Sequence, residues 1–152
     1  GYIEWKTVYR PGSLVAKGYK GGKKVMEEKI ETTDKADRIS VEPYNTSFKA
    51  DGQDIAIVDL TLKDEKNREV PDAMNEMIVT LTGPATILGY GNGDPGFKEI
   101  ERPVNGETSF RIKAFSGKAQ VIIRSQEGKK GNVQLEVSGT GLKKATQQFI
   151  ID

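Results

Sequence analysis

The chain has 152 residues, 36% hydrophobic and 30% charged, with 23 basic against 22 acidic side chains and a net charge of +1. That length fits one domain, or one domain plus a fragment of another, and the even charge mix carries no nucleic-acid footprint and no membrane-surface patch. Histidine and cysteine are both absent, which excludes thiol nucleophiles, histidine bases, disulfides and the usual zinc sites.

In chain order, the opening GYIEWKTVYRPG carries Trp5, Val8 and Tyr9, which suggest one strand. A hairpin follows, Leu14 to Lys20 and Lys23 to Ile30, around Gly21-Gly22. From Asp37 onward the dominant period is two. Ala56, Val58, Leu60 and Leu62 alternate with polar or smaller residues, as do Met77, Val79 and Leu81. So do Phe110, Ile112 and Ala114, then Ala119, Val121 and Ile123, then Val133, Leu135 and Val137, and finally Phe149 and Ile151. Such alternation places one face of each strand on a core and the other in water. Glu65 to Asn75 is polar and holds Pro71, so it reads as a connection.

Turn signals fall at Asp51-Gly52, Gly83-Pro84, Gly91 to Gly96, Asn105-Gly106, Ser116-Gly117, Gly128 to Gly131 and Gly139 to Gly141. No window shows a helical stripe, and no apolar run approaches the ~20 residues of a membrane span. Seven or eight strands between Asp37 and Asp152 predict an all-β fold, an immunoglobulin-like antiparallel β-sandwich without the antibody disulfide. The lysine pairs Lys23-Lys24, Lys129-Lys130 and Lys143-Lys144 stand beside glycines and read as solvated turn residues.

The start of the chain echoes its end. Leu14, Ala16, Gly18, Lys23 and Lys24 match Leu135, Val137, Gly139, Lys143 and Lys144 if one extra glycine is allowed in the first turn. Two strands cannot bury a core alone. Residues 1–33 are therefore expected to be the closing strands of a preceding β-sandwich, and 34–152 a second sandwich that ends in the same way. A first residue of Gly instead of Met fits a processed or cloned start, so the chain is expected to be part of a longer polypeptide.

Two segments carry a family likeness. YRPGSLVAKGYKGGKKV (Tyr9 to Val25) resembles the closing strands of a small sandwich domain behind the catalytic barrel in glycoside hydrolase family 2, in bacterial β-galactosidase-like enzymes. The stretch from Lys49 to Pro95, KADGQDIAIVDL…GYGNGDP, looks like the Ig-like domain that follows in the same enzymes. It is also similar to the Ig-like repeats of invasin-type adhesins. The Gly-Tyr hairpin followed by an Ala-Asp-Gly domain with GNGDP favours the hydrolase, while Phe97 to Val104 departs from its pattern.

The resemblance implies a non-catalytic accessory region of a periplasmic, extracellular or cell-surface bacterial enzyme, packing on or orienting the barrel. The barrel itself, with two catalytic glutamates, needs ~200 residues or more. The partners implied are other domains of the same polypeptide and, through one loop, carbohydrate; no cofactor is implied. An adhesin module and a carbohydrate-binding module stand as alternatives. Exposed apolar residues in 1–33 would also promote self-association.

The loop Gly89 to Gly96 is the leading candidate site. Its glycines let backbone approach a ligand closely, Asn92 and Asp94 offer acceptors for sugar hydroxyls or calcium, and Tyr90 offers a ring for a pyranose face. The competing reading is a tight turn closed by Asx hydrogen bonds. Four carboxylate pairs, Asp51 with Asp54, Asp64 with Glu65, Asp72 with Glu76 and Glu99 with Glu101, lie in polar segments and are expected to be solvated turn acids. A glycosidase pair instead needs burial in a cleft. Trp5, Tyr9 and Tyr19 read as core or interdomain-seam aromatics before they read as a sugar platform.

Overall fold

The computed structural model describes residues 3–97 and 108–152. The chain divides into two compact units, Gly1–Thr33 and Asp34–Asp152.

The first unit is a hairpin of β1 (Ser13–Lys20) and β2 (Lys23–Glu31). Its loop is Gly21-Gly22, with φ of 57° and 74°. Positive φ at both positions is the hairpin turn that follows the right-handed strand twist, and glycine adopts it without a Cβ penalty. Thr32 closes the base, its N–H donating to the Gly12 carbonyl at 2.8 Å and its Oγ1 accepting from the Gly12 N–H at 3.0 Å. Leu14 pairs with Ile30 and Gly18 with Met26, so apolar side chains gather on one face. Val15 opposite Lys29 and Lys17 opposite Glu27 stand on the other. No strand forms at Trp5 to Tyr9, contrary to expectation: the segment pairs with neither β1 nor β2, which pair with each other alone.

The second unit is a two-layer β-sandwich. One layer runs β7 (Ala85–Gly91), β9 (Lys118–Ser125), β5 (Ile55–Lys63), β3 (Arg38–Pro43). The other runs β11 (Leu142–Ile151), β10 (Gly131–Gly139), β6 (Glu76–Thr82), β8 (Ser109–Lys113). Pairing is antiparallel within each layer. The layers meet where β11 runs parallel to β3, at Lys143 opposite Arg38, and to the two-residue β4 (Ser47–Phe48). The first edge of the unit is thus shared between the sheets.

The period-two reading holds residue by residue. Ala56, Val58, Leu60, Leu62, Met77, Val79, Leu81, Val121, Ile123, Val133, Leu135 and Val137 are all 2% exposed or less. Burying one such side chain is worth about 1.5–3 kcal/mol. The Glu65–Asn75 connection does more than connect, because Val70 and Ala73 are buried in it. Gly117 locks it down: its N–H donates to the Ala73 carbonyl at 2.9 Å and its carbonyl accepts from Leu62 at 2.8 Å. With φ of +75° and the Val70 carbonyl oxygen where a Cβ would stand, only glycine fits there.

The terminal hairpins differ from the expected echo. Both have two-residue loops, with Lys20 opposite Lys23 and Gly139 opposite Leu142. The offset lies in the strands and not in an extra loop glycine: Gly18 stands two residues inside its strand, whereas Gly139 borders its loop. Lys23, Lys24, Lys143 and Lys144 are strand residues, and three of them hold acids, in the pairs Lys24–Glu27, Lys143–Asp37 and Lys144–Glu136.

Candidate functional site

The outward face of the β3-β5-β9-β7 layer is polar at one end. Register places Glu42 beside Asp59, Asp59 beside Gln120, and Gln120 beside Gly91, so one row crosses four strands. The next row is Ser40, Thr61 and Lys118. A groove of about 460 Å³ lies over these rows, walled by Glu69 from the connection and by Gly91, Asn92 and Gly93 from the glycine-rich loop.

Its side chains are tied to one another. Asp59 accepts from Gln120 Nε2 at 2.8 Å and from the Tyr44 hydroxyl at 3.1 Å. Glu42 Oε1 accepts from Lys63 Nζ at 2.9 Å and Ser40 Oγ at 2.8 Å. Lys118 pairs with Glu69 at 2.9 Å. These bonds to Lys63 and Ser40 lower the Glu42 carboxyl, the Glu69 bond raises the Lys118 ammonium, and the Asp59 carboxylate raises the Tyr44 phenol.

Of the three loop residues singled out in the sequence, only Asn92 lines the groove. Asn92 Nδ2 donates to the Lys113 carbonyl at 2.9 Å, and its Oδ1 accepts the Asp94 N–H at 3.0 Å. Asp94 Oδ1 in turn accepts the Gly96 N–H at 2.8 Å. These are the Asx bonds of a self-supported turn. Tyr90 is half-buried, stacked on Phe110 at 4.1 Å between ring centroids and edge-on to Phe97 at 6.1 Å. Its ring is part of the packing beneath the loop. The Asn105-Gly106 turn, the Glu99–Glu101 pair and most of Phe97 to Val104 lie outside the described residues.

One acid expectation is overturned. Asp64 is fully buried, not a solvated turn acid. Its Oδ1 accepts from the N–H groups of Lys66 and Arg68 at 2.9 Å each, and its Oδ2 from the Asp34 N–H at 3.0 Å and Arg68 Nε at 2.8 Å. Burial alone would raise this carboxyl, but the Arg68 guanidinium and the N–H groups of Arg68 and Asp34 outweigh it and hold the group far below the ordinary carboxylate range. A carboxylate so saturated is a structural brace with no lone pair left for a reacting proton. By contrast Asp51 accepts from Gln53 and Asp54 N–H groups at 2.8 and 2.7 Å in an exposed Asx turn. Among the described residues, no group of three or more His, Cys, Asp or Glu is placed to hold a metal ion.

Residues 39–148 match the profile of the glycoside hydrolase family 2 C-terminal domain 5. The chain belongs to that family. A β-galactosidase of Bacteroides ovatus is 32% identical over 148 residues, 95% of this chain and 16% of its own length. A glycosyl hydrolase family 2 member of Bacteroides cellulosilyticus superposes with a TM-score of 0.84 at 25% identity, covering 97% of this chain and 18% of that one. A β-glycosidase of Bacteroides vulgatus does so with a TM-score of 0.76 at 26% identity, over 93% of this chain and 18% of that one.

The chain thus spans under a fifth of the length of these relatives. It is a C-terminal accessory region of family 2 β-galactosidase-like proteins, and the adhesin alternative has less support. The groove was missed in the sequence because Glu42, Asp59, Glu69 and Gln120 stand far apart along the chain.

Proposed function

We propose that this domain is the non-catalytic part of a β-galactosidase-type glycosidase and acts mechanically, packing on and orienting a catalytic domain elsewhere in the same polypeptide. The observation that carries this reading is the match of 95% of the chain to only 16% of a β-galactosidase. A chemical argument points the same way: the one buried carboxylate among the described residues is consumed by five donors' worth of structural bonding around Asp64, and a glycosidase needs two acids with separated roles. The purified chain is expected to leave a chromogenic β-galactoside unhydrolysed once contaminants are excluded. The full-length polypeptide is expected to cleave it and to lose activity or thermal stability when this region is deleted. Turnover by the chain alone would overturn the proposal.

The hairpin extends this reading. Leu14, Met26 and Ile30 share its apolar face, each more than half exposed, and two strands cannot cover such a face themselves. Residues 1–33 then belong to a preceding β-domain of the same polypeptide, with 34–152 as the Ig-like domain. The chain by itself is accordingly expected to self-associate, its sedimentation coefficient rising with concentration. Leu14→Lys together with Ile30→Lys should abolish the rise, and strictly monomeric behaviour of the unsubstituted chain sinks this part.

A further inference from the structure

The groove on the outer sheet face is a stronger candidate for ligand binding than the loop that borders it. We propose that it is a binding site for a neutral oligosaccharide. Its volume of about 460 Å³ falls in the ~300–1,000 Å³ range of small-ligand sites. Three carboxylates, Glu42, Asp59 and Glu69, face two ammonium groups, Lys63 and Lys118, and each lysine is already paired with an acid. An anionic ligand would face the unpaired Asp59 carboxylate and would have to break one of those pairs to reach a lysine. A polyol does not, because each hydroxyl both donates and accepts and adds to the pairs as they stand.

The pairing also holds the groups in place before any ligand arrives, which lowers the entropy cost of binding. Tyr44, 69% exposed, stands beside the groove with its hydroxyl pinned to Asp59 at 3.1 Å. An exposed ring held by its polar end is a platform for the C–H face of a pyranose. At the opposite wall Gly91 and Gly93 carry no side chain, and a Cβ on either would meet nothing within 4 Å. Open backbone there gives the sugar room to lie flat across β9.

Gly91 supplies the decisive variant. Its φ lies outside the left-handed region and the space above it is empty, so Gly91→Trp fills the groove without straining the fold. The 152-residue chain, labelled for amide NMR, is titrated with galactotetraose, cellotetraose and xylotetraose and, as the charged control, tetragalacturonate. At least one neutral sugar is expected to shift the amides of Asp59, Thr61, Gly91 and Lys118. Gly91→Trp should weaken that sugar by about tenfold or more, and Gln120→Ala and Tyr44→Ala by roughly threefold to tenfold, with the rest of the spectrum unchanged.

Three results would overturn the proposal. No shift from any neutral sugar at about 10 mM, or binding of the uronate alone, would show that neutral sugars are not the ligands. Shifts that survive both Gly91→Trp and Gln120→Ala would place the sugar elsewhere. None of these results bears on the orienting role, which deletion from the full-length polypeptide tests separately.

Discussion

Asp64→Ala is expected to lower the melting temperature of the sandwich by on the order of 10 °C. The carboxylate is buried without solvent contact, and its loss leaves the Asp34, Lys66 and Arg68 N–H groups without an acceptor in a site water does not reach. Arg68, 21% exposed, keeps one partner in Asp34 at 2.9 Å but loses its buried one. The connection then loosens along with Val70 and Ala73, which it carries into the core. Asp64→Asn keeps the volume and one acceptor, so its cost should fall between those of alanine and the parent.

The same residue makes stability depend on acid. The Asp64 carboxyl titrates in the folded state well below its ordinary value of 3.8. A lowered folded value means the contribution is complete above the unfolded value and shrinks as pH falls below it toward the folded one. The gap in melting temperature between parent and Asp64→Ala is therefore expected to be constant at neutral pH and to narrow steadily below about pH 4. A gap that stays level down to pH 2 would remove Asp64's charge from the explanation.

Phe149→Ala is expected to cost about 3–5 kcal/mol, a large share of the ~5–15 kcal/mol that holds a domain of this size. Phe149 is 1% exposed, on β11, and packs edge-on against Phe48 of β4 at 6.2 Å between ring centroids. That contact joins the last strand to the short parallel strand at the seam between the sheets. Denaturant unfolding should show the midpoint fall with its slope unchanged. The neighbouring Ile150, 57% exposed on the opposite side of the same strand, is the control: Ile150→Ala should move stability by under about 0.5 kcal/mol. Equal costs at the two positions would contradict the register.

Alternation by itself determined most of this protein. A strand has a side-chain period of two, so writing an apolar residue at every second position commits each strand to one buried face whatever its neighbours are. That local rule made the sandwich, its core from Ala56 to Ile151, and the turns at Gly21-Gly22 and Ser116-Gly117 legible before any contact was known. The family likeness was legible for a similar reason, since it rests on short contiguous stretches. Only the tertiary structure decided the rest. The segment from Asp64 to Arg68 reads as a polar loop, and nothing local reveals that a backbone N–H from Asp34, thirty residues away, closes the cage that buries the carboxylate. The groove arises in the same way: Glu42, Asp59 and Gln120 become neighbours when three strands pair, and strand pairing is a property of the sheet, not of any one strand.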